Sequence, residues 1–435
     1  MNDFLFARSQ MALSLAFHII FAAIGIGMPL LMVISEGLYL RTRDEVYLTL
    51  TKRWASGTAI LFAVGAVSGT VLSFELGLLW PKFMAYAGSI IGMPFSLEGF
   101  AFFAEAIFLG IYLYGWNRIP PKVHWLAGLL VLFSGTISGI FVVTANAWMN
   151  TPTGFDLVDG VAVNIRPFAA MFNPATFSET LHMTVAAFQS VGFLVAGIHA
   201  FMLLRDPHNQ FHRRALAIAL VVATIFSVAQ PLVGDHSAKH VAEYQPIKLA
   251  ALEGQWETET GAPLRIGGLP NAKTETTPYA LEIPKGLSFL AYGNFNAEVM
   301  GLKAVPPADR PPVAIVHVAF QIMVGLGMAM MGVGLLGGWL AWRKKHLPDQ
   351  RWYLWLVIAC APMGMAAIEA GWVVTEVGRQ PWTIYNLLRT ADAVTPVTGL
   401  VAPFVLFTLL YVVLGVVTAV LLQRQVFASP VISNR

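Results

Sequence analysis

Nine hydrophobic stretches, each long enough to cross a lipid bilayer, constrain the fold of this chain more than any other feature. A helix of about 20 apolar residues spans the hydrocarbon core of a membrane. Every backbone polar group must find a partner inside that core, and these runs are too continuous for barrel strands, so helices are expected. The sequence therefore predicts an all-α polytopic membrane protein with nine transmembrane helices. The stretches lie at residues 9–40, 54–78, 93–116, 123–146, 180–204, 214–234, 312–342, 352–375 and 399–423.

The composition supports the same class of protein. Of the 435 residues, 57% are hydrophobic and 12% are charged, which is typical of a membrane protein rather than a globular one. The net charge is +3 and the basic residues lie between the apolar runs, so no nucleic-acid partner is indicated. The single cysteine, Cys360, excludes an intramolecular disulfide, a cysteine-based zinc site and a c-type haem attachment motif.

The distribution of lysine and arginine predicts the orientation of the helices, because short cytoplasmic loops are enriched in both. The connections after the first, third, fifth and seventh helices carry 13 basic residues, whereas those after the second, fourth and eighth carry four. This pattern places the N-terminus outside and the C-terminus in the cytoplasm. It divides the chain into helices 1–6 (1–234), an extracytoplasmic loop (235–311) and helices 7–9 (312–435).

The loop at 235–311 is the one long segment outside the predicted helices. Within it, residues 248–259 have the pattern of a short amphipathic helix, whereas residues 261–278 are predicted to be irregular. A connection of this length is usually either functional or disordered. We therefore expect the loop to carry a function rather than to be an inert cap.

Six side chains of the kind that bind metals or protons interrupt the apolar helices. Ionisable groups inside a membrane are costly and are functional candidates by default, although a lone histidine or methionine is often a packing residue. The predicted orientation places all six in the outer half of the membrane, although they come from five helices. They are His18, Glu98, Glu105, His182, Met323 and Glu376.

Two histidines, a methionine and carboxylates favour an iron porphyrin over zinc or calcium, because haem iron accepts His or His/Met axial ligands. Glu98 and Glu105 are seven residues apart and share one helical face. This spacing indicates a proton relay or, alternatively, a polar contact between helices. The eighth helix ends in the segment 371–382, where Glu376 and Arg379 suggest function and the tryptophans could instead be interfacial anchors.

Two other classes of protein fit part of this pattern. A secondary transporter would use the intramembrane Glu and His residues as a proton relay, but it predicts an inverted repeat and sites near the midplane. The sequence has no visible repeat, and the candidate residues are off-centre. A haem electron-transfer protein without oxygen chemistry would need a second strong ligand for each iron, and His18 and Glu376 have no obvious one.

Six motifs resemble those of subunit I of the cytochrome bd-type quinol oxidases, in the same order and over essentially the whole chain. The most specific is GWVVTEVGRQPW at 371–382. The other five are RSQMALSLAFH (8–18), PFSLEGFAFFAEAIF (94–108), ANAWMNTP (145–152), ETLHMTV (179–185) and KLAALEGQWET (248–258). The resemblance implies a membrane-bound quinol:dioxygen oxidoreductase.

The resemblance also implies three haems, either two haem b and one haem d or three haem b. His182 and Met323 would be the axial ligands of a low-spin haem b. His18 and Glu376 would each bind the iron of one high-spin haem, and which of the two holds the dioxygen-binding haem stays open.

The remaining matches fall into three groups. Glu98 and Glu105 match carboxylates linked to proton delivery. Lys248 and Glu253 match residues of the quinol-binding loop, where a base accepts a proton as quinol is oxidised. The residues that match polar and aromatic groups around the haem pair are Arg8, Asn146, Trp148, Trp372, Arg379 and Gln380.

The family further implies quinol oxidation at the outer face and reduction of dioxygen to water with cytoplasmic protons, without pumping. A second large membrane subunit and a small single-span subunit are expected, in the bacterial cytoplasmic (inner) membrane. Whether the substrate is ubiquinol or menaquinol stays open. The chain departs from the family pattern at Gln321, two residues before the methionine ligand, where many members carry Arg. The missing positive charge should affect the low-spin haem. Together with the short loop, Gln321 suggests a divergent, cyanide-insensitive branch.

Overall fold

The computed structural model describes residues 3–427. This range contains thirteen α-helices, of which nine are long and apolar enough to cross a membrane, so the predicted fold class is confirmed. The nine long helices are α1 (Asp3–Thr42), α2 (Glu45–Leu79), α3 (Pro81–Tyr114), α4 (Pro121–Asn150), α6 (Thr176–Arg205), α7 (Gln210–Tyr244), α10 (Val313–Lys344), α11 (Arg351–Val377) and α13 (Val401–Phe427). The four short helices are α5 (Pro167–Met171), α8 (Pro246–Glu253), α9 (Gly286–Tyr292) and α12 (Thr390–Ala393).

Several helices extend beyond the hydrophobic stretches that predicted them. α3 begins at Pro81 rather than near residue 93, and α7 continues to Tyr244 rather than ending near residue 234. Hydropathy marks the part of a helix that suits lipid, whereas the helix itself continues as long as its backbone hydrogen bonds are made. We call the end of the bundle that carries α8 the loop end and the opposite end the distal end. Which end faces the cytoplasm stays a prediction.

The helices differ strongly in how much of their surface is covered. In the apolar centre of α6, 72% of the residues are buried, whereas in α13 the share is 11%. α6 packs against α1, α4, α7 and α11, while α13 lies at the edge against α1 and α2. Large apolar side chains such as Phe74 of α2, Phe103 of α3 and Val412 of α13 face outward. Such a surface suits lipid or another membrane chain.

Eight short strands form four two-stranded antiparallel sheets in the connections at the loop end. The pairs are β1 (Asp156–Val158) with β2 (Val161–Val163), β3 (Glu259–Thr260) with β6 (Glu298–Val299), β4 (Leu264–Gly267) with β5 (Ala280–Ile283), and β7 (Trp382–Ile384) with β8 (Leu388–Arg389). Two short 3-10 helices, Leu302–Ala304 and Pro307–Asp309, precede α10.

The structure corrects two local predictions in the connection between α7 and α10. The helix predicted over 248–259 is α8, which ends at Glu253 because Gly254 adopts a φ of +61° and closes it. The segment 261–278, predicted to be irregular, contributes strand β4, which pairs with β5. A strand of four residues is too short to show a clear alternation, so its pairing depends on tertiary contacts.

Candidate functional site

The turn that follows α11 places Glu376 and Arg379 in direct contact. Arg379 Nη2 donates a hydrogen bond to Glu376 Oε2 at 2.5 Å, and the Arg379 side chain is only 1% exposed. The other carboxylate oxygen of Glu376 accepts a hydrogen bond from Asn146 Nδ2 of α4. Buried charges are tolerated when they are paired and hydrogen-bonded, and these two bonds meet both conditions.

Asn150, one turn beyond Asn146 on α4, joins this ion pair to the loop. Its Oδ1 accepts hydrogen bonds from Lys248 Nζ of α8 at 2.8 Å and from Arg379 Nη1 at 3.2 Å. Its Nδ2 donates to Glu179 Oε1 of α6 at 3.0 Å. One amide therefore links α4, α6, α8 and the end of α11. We define the loop-end network as Asn146, Asn150, Glu179, Lys248, Glu376 and Arg379.

The loop-end network holds two cations and two carboxylates largely away from water. The pKa of Lys248 is lowered to about 7, first by burial and then by the neighbouring Arg379, while Glu179 and Glu376 oppose the shift. At neutral pH the ammonium group of Lys248 is therefore close to losing its proton.

Sequence reasoning missed three residues of this region. Asn150 and Glu179 lie inside the motifs ANAWMNTP and ETLHMTV, and Gln245 Nε2 donates to the Asn150 backbone oxygen at 2.8 Å. An amide side chain is not a ligand of haem iron, so Asn150 and Gln245 were not candidates. Glu179 lies one residue before the apolar stretch at 180–204. The one available signal was that Asn150 follows Asn146 by four residues, which puts both on one face of a helix.

His18 faces α2 from α1. Its Nδ1 lies 2.9 Å from Ser68 Oγ, and this hydroxyl donates its own hydrogen to the Val64 backbone oxygen at 3.0 Å. With the hydroxyl hydrogen directed at Val64, His18 Nδ1 is the donor and Nε2 keeps a lone pair. A Cβ atom placed on Gly69 of α2 would lie 2.9 Å from His18 Cε1, so only a glycine fits beside the ring.

His182 of α6 and Met323 of α10 also lie against glycines of neighbouring helices. A Cβ atom on Gly234 of α7 would lie 3.5 Å from the His182 ring, and one on Gly371 of α11 would lie 3.1 Å from Met323 Sδ. Gln230 Nε2 of α7 approaches the two ring nitrogens of His182 at 3.3 and 3.4 Å. Each of these ligand candidates therefore packs against an adjacent helix at a glycine.

Glu98 and Glu105 both face α4, as their seven-residue spacing predicts. Glu98 Oε1 accepts a hydrogen bond from Ser138 Oγ at 3.2 Å. The carboxylate of Glu105 lies against Gly135, where a Cβ atom would be 3.0 Å from it. The hydrogen bonds described for the loop-end network include neither residue, so the two carboxylates form a separate line along the α3–α4 seam.

Arg8 belongs to the N-terminal part of α1, and Trp372 of α11 packs near the same half of that helix. The guanidinium of Arg8 lies 5.3 Å from the centre of the Phe4 ring. Trp372 of α11 packs in the cluster that contains Ile19, the residue after His18. The structure therefore brings the indole of Trp372 close to the His18 region of α1.

Gln380 and Trp148 have structural contacts of their own. Gln380 Nε2 lies 3.5 Å from the backbone oxygen of Glu376, a long hydrogen bond. Trp148 is 1% exposed and its Nε1 donates to the Thr153 backbone oxygen at 2.9 Å. Of the predicted pair on α4, Asn146 is the one that contacts Glu376, whereas Trp148 holds the connection after α4.

Lys248 and Glu253 lie on different sides of α8, because five residues correspond to about 140° around a helix. Lys248 joins the loop-end network, and the strongest charge acting on Glu253 is Arg265 of β4. Burial raises the pKa of Glu253 to about 8, against the opposing effect of Arg265. Among residues 3–427, no group bonds to its buried Oε2.

Two side chains of α10, one turn apart, hold the β4–β5 hairpin. His317 Nε2 lies 2.9 Å from the Gly267 backbone oxygen, and its Nδ1 lies 2.7 Å from a carbonyl in the last turn of α8. Gln321 accepts a hydrogen bond from the Gly267 backbone N–H and donates to the Arg265 backbone oxygen, both at 3.1 Å. Gln321 therefore binds the backbone of the loop two residues before Met323.

Comparison with known proteins gives a consistent result. The family model for cytochrome bd terminal oxidase subunit I matches residues 6–430. A putative cytochrome bd menaquinol oxidase subunit I from Bacillus subtilis is 38% identical over 99% of this chain and 98% of its own length. The cytochrome bd-II ubiquinol oxidase subunit 1 of Escherichia coli is 29% identical over 98% of this chain and 96% of its own length.

A solved structure agrees over the same length. The structure of bd oxidase from Geobacillus thermodenitrificans matches with a TM-score of 0.92 and 42% identity, covering 98% of this chain and 99% of that chain. Nine spans and this similarity fit a multi-pass protein of the bacterial cytoplasmic membrane, and they support an oxidase over a transporter or a simple electron carrier. As a subunit I, the chain works together with a second subunit. The chain belongs to the cytochrome bd terminal oxidase subunit I family.

Proposed function

We propose that this chain is the haem-bearing subunit of a quinol:dioxygen oxidoreductase, with quinol oxidised beside α8 and dioxygen reduced to water inside the bundle. The observation that carries the proposal is the packing of three ligand candidates. His18, His182 and Met323 each lie against a glycine of a neighbouring helix. A glycine at such a contact lets the side chain of the ligand candidate lie close to the backbone of the neighbouring helix.

The donor atoms also suit haem. His18 donates from Nδ1 to Ser68 and keeps the Nε2 lone pair, an arrangement common in histidines that ligate metals. We propose that His182 and Met323 would hold a low-spin haem b, and that His18 and Glu376 would each hold one high-spin haem. When bound, these haems supply electron transfer and the reduction of dioxygen. The family favours two haem b and one haem d, with three haem b as the alternative.

The polar residues near these ligands orient them. Asn146 and Arg379 each bond one oxygen of Glu376, so its carboxylate cannot rotate. A guanidinium matches a carboxylate in shape and charge, and we assign Arg8 and Arg379 to the haem propionates. Further residues proposed at the edge of the haem pair are Trp148, Trp372 and Gln380.

We assign Glu253 as the base that accepts a proton from quinol. A base must be unprotonated, and a pKa of about 8 keeps the Glu253 carboxyl mostly neutral at pH 7. The rate of quinol oxidation should therefore rise with pH as this carboxyl ionises. Lys248, on another side of α8, ties the helix that carries the base to the loop-end network.

With the loop end outside, the protons of quinol are released to the outside and the protons of water come from the cytoplasm. We propose that Glu98 and Glu105 relay protons along the α3–α4 seam. Electrons and protons then reach dioxygen from opposite sides of the membrane. The reaction separates charge across the membrane without a pump.

The outward-facing apolar residues of α2, α3 and α13 suit both lipid and the second large membrane subunit. We propose that a small single-span subunit completes the complex. Its contact surface is one of these exposed helices, because the centre of α6 is already covered by this chain.

The test is a dithionite-reduced minus oxidised absorption spectrum of the purified complex, repeated with carbon monoxide. We expect a low-spin b-type signal and high-spin signals, one of which shifts with carbon monoxide. A shifting band near the red end identifies haem d at the dioxygen site, and only b-type bands identify the alternative. An intact, haem-sufficient preparation without haem bands, or without quinol oxidation, would overturn the proposed function.

A further inference from the structure

A second buried polar cluster lies at the distal end of the bundle. It consists of Glu36 of α1, Tyr112 of α3 and His124 of α4, which are 2%, 0% and 3% exposed. His124 and Asn150 lie at opposite ends of α4, about 39 Å apart at the rise of an α-helix. We call Glu36, Tyr112 and His124 the distal triad.

The hydrogen bonds of the distal triad require one shared proton. Tyr112 donates from its hydroxyl to Glu36 Oε2 at 2.6 Å, and His124 Nδ1 lies 2.7 Å from Glu36 Oε1. His124 Nε2 lies 2.8 Å from the Tyr112 backbone oxygen, which can only accept, so Nε2 carries a hydrogen. A proton must then lie between Nδ1 and Oε1, on either atom, because a ring lone pair would otherwise face a buried carboxylate.

The distal triad is aligned with the two carboxylates already described on α3. Tyr112 follows Glu105 by seven residues, as Glu105 follows Glu98, so the three side chains share one helical face at steps of about 10.5 Å. On α4 opposite, a Cβ atom on Gly128 would lie 2.7 Å from the Tyr112 ring, as one on Gly135 would lie 3.0 Å from Glu105. All three residues therefore occupy the same α3–α4 seam.

The indole of Trp116 packs against the distal triad near the distal surface of the bundle. The Trp116 ring, in the short connection between α3 and α4, is centred 3.9 Å from the His124 ring. Lys52 Nζ lies 5.2 Å from the centre of the Trp116 ring on its way to solvent. Trp116 is itself half-buried, so the ring that covers His124 reaches the solvent-accessible surface.

We propose that the distal triad is the proton-loading site of this oxidase, from which protons move along the α3–α4 seam to Glu105 and Glu98. The proton shared by His124 Nδ1 and Glu36 Oε1 moves on towards Glu105, and the pair then regains one proton from the distal side at the same two atoms. Each step is longer than one hydrogen bond, so the transfer requires water molecules to enter the seam. The inference rests on the proposed function, because reduction of dioxygen to water inside the bundle consumes one proton for each electron.

The test uses the complete oxidase complex with Glu36→Gln and, separately, Tyr112→Phe. The reduced, carbon monoxide-bound complex is mixed with dioxygen, and a light pulse releases the carbon monoxide to start the reaction. Haem oxidation is followed by absorption, and proton uptake is followed at the same time with a pH-sensitive dye. We expect Glu36→Gln to slow proton uptake and turnover at least tenfold, with haem content, the carbon monoxide spectrum and the first oxidation step unchanged. Tyr112→Phe removes one hydroxyl and leaves the proton shared by His124 and Glu36. We therefore expect the rate of proton uptake to fall only about two- to fivefold.

The matched control is Ser35→Ala, which removes a buried hydrogen bond to the Tyr47 backbone oxygen from the residue next to Glu36. A purely structural role of the distal triad predicts no selective loss of proton uptake. A rate of proton uptake in Glu36→Gln within twofold of the wild-type rate would overturn the inference. If Glu36→Gln fails to assemble, an unchanged rate of proton uptake in Tyr112→Phe would overturn it instead. A wild-type complex that lacks haem or quinol oxidation shows instead that the proposed function fails.

Discussion

The two ends of α4 carry two buried polar clusters of different construction. The loop-end network combines two cations with two carboxylates, and the Glu376 side chain remains 29% exposed. The distal triad has a single carboxylate, bonded by a tyrosine and a histidine, and contains no lysine or arginine. The first arrangement can hold further charged groups, whereas the second is complete when it carries one proton. We infer that the loop end binds charged groups, whereas the distal end transfers a proton.

This difference predicts which properties a substitution will change. Removing one partner of a buried ion pair leaves an uncompensated charge and costs about 3–5 kcal/mol. Substitutions in the loop-end network should therefore change cofactor content and assembly. Neutral substitutions in the distal triad should change a rate and leave the cofactors in place.

The largest effect is expected for Glu376→Ala. The substitution removes a proposed iron ligand and leaves Arg379 without its carboxylate partner. We expect loss of one high-spin haem and of oxidase activity, while the low-spin spectrum of the His182/Met323 haem persists. Haem content and the carbon monoxide spectrum measure the result, and Asp392→Ala, which removes an exposed carboxylate from α12, is the control. Activity with all haems bound would contradict the assignment.

A smaller effect, confined to quinol oxidation, is expected at Glu253. The carboxylate is the base form and exists above the pKa, so wild-type turnover should rise as the pH passes through about 8. Glu253→Gln should lower turnover at saturating quinol at least tenfold and remove this rise, with all haems retained. Steady-state oxygen consumption between about pH 6 and 9 measures both.

The control on the same loop is Glu298→Gln, which changes an exposed carboxylate on β6 and should leave the pH profile unchanged. The base assignment is wrong if the wild-type profile is flat across this range, or if Glu253→Gln keeps the wild-type rate.

The smallest effect is expected for Gln321→Ala. The substitution removes two hydrogen bonds to the hairpin backbone, and one such bond contributes about 1 kcal/mol, or a factor of about five in an equilibrium. We expect the KM for quinol to rise about two- to fivefold with haem content unchanged. Ile322→Ala, at the next position and 45% exposed, should have no effect. Equal KM values in the two variants would show that the hairpin does not depend on Gln321.

The sequence predicted the features that depend on local pattern. The nine spans follow from hydrophobic length, and the shared face of Glu98 and Glu105 follows from their spacing. The proposed ligands came from a resemblance of motifs, which carries residue types but no contacts. The bond between Lys248 and Asn150 joins residues 98 positions apart through an amide, so no local pattern could reveal it.

The distal triad was missed for a different physical reason. Glu36 lies near the end of α1 and His124 near the start of α4, where polar residues are ordinarily solvated. Only the packing of α1, α3 and α4 removes both from water. Burial of a helix end is a tertiary property, and a hydropathy pattern contains no information about it.

The attachment of the β4–β5 hairpin to α10 has a consequence for how this loop can diversify. His317 and Gln321 bind it through backbone atoms of Gly267 and Arg265, with no hairpin side chain involved in these bonds. The sequence of the hairpin can therefore change while its attachment stays the same, provided that the backbone path is kept. A loop adapted to a different quinol could be exchanged as a unit onto an unaltered set of helices.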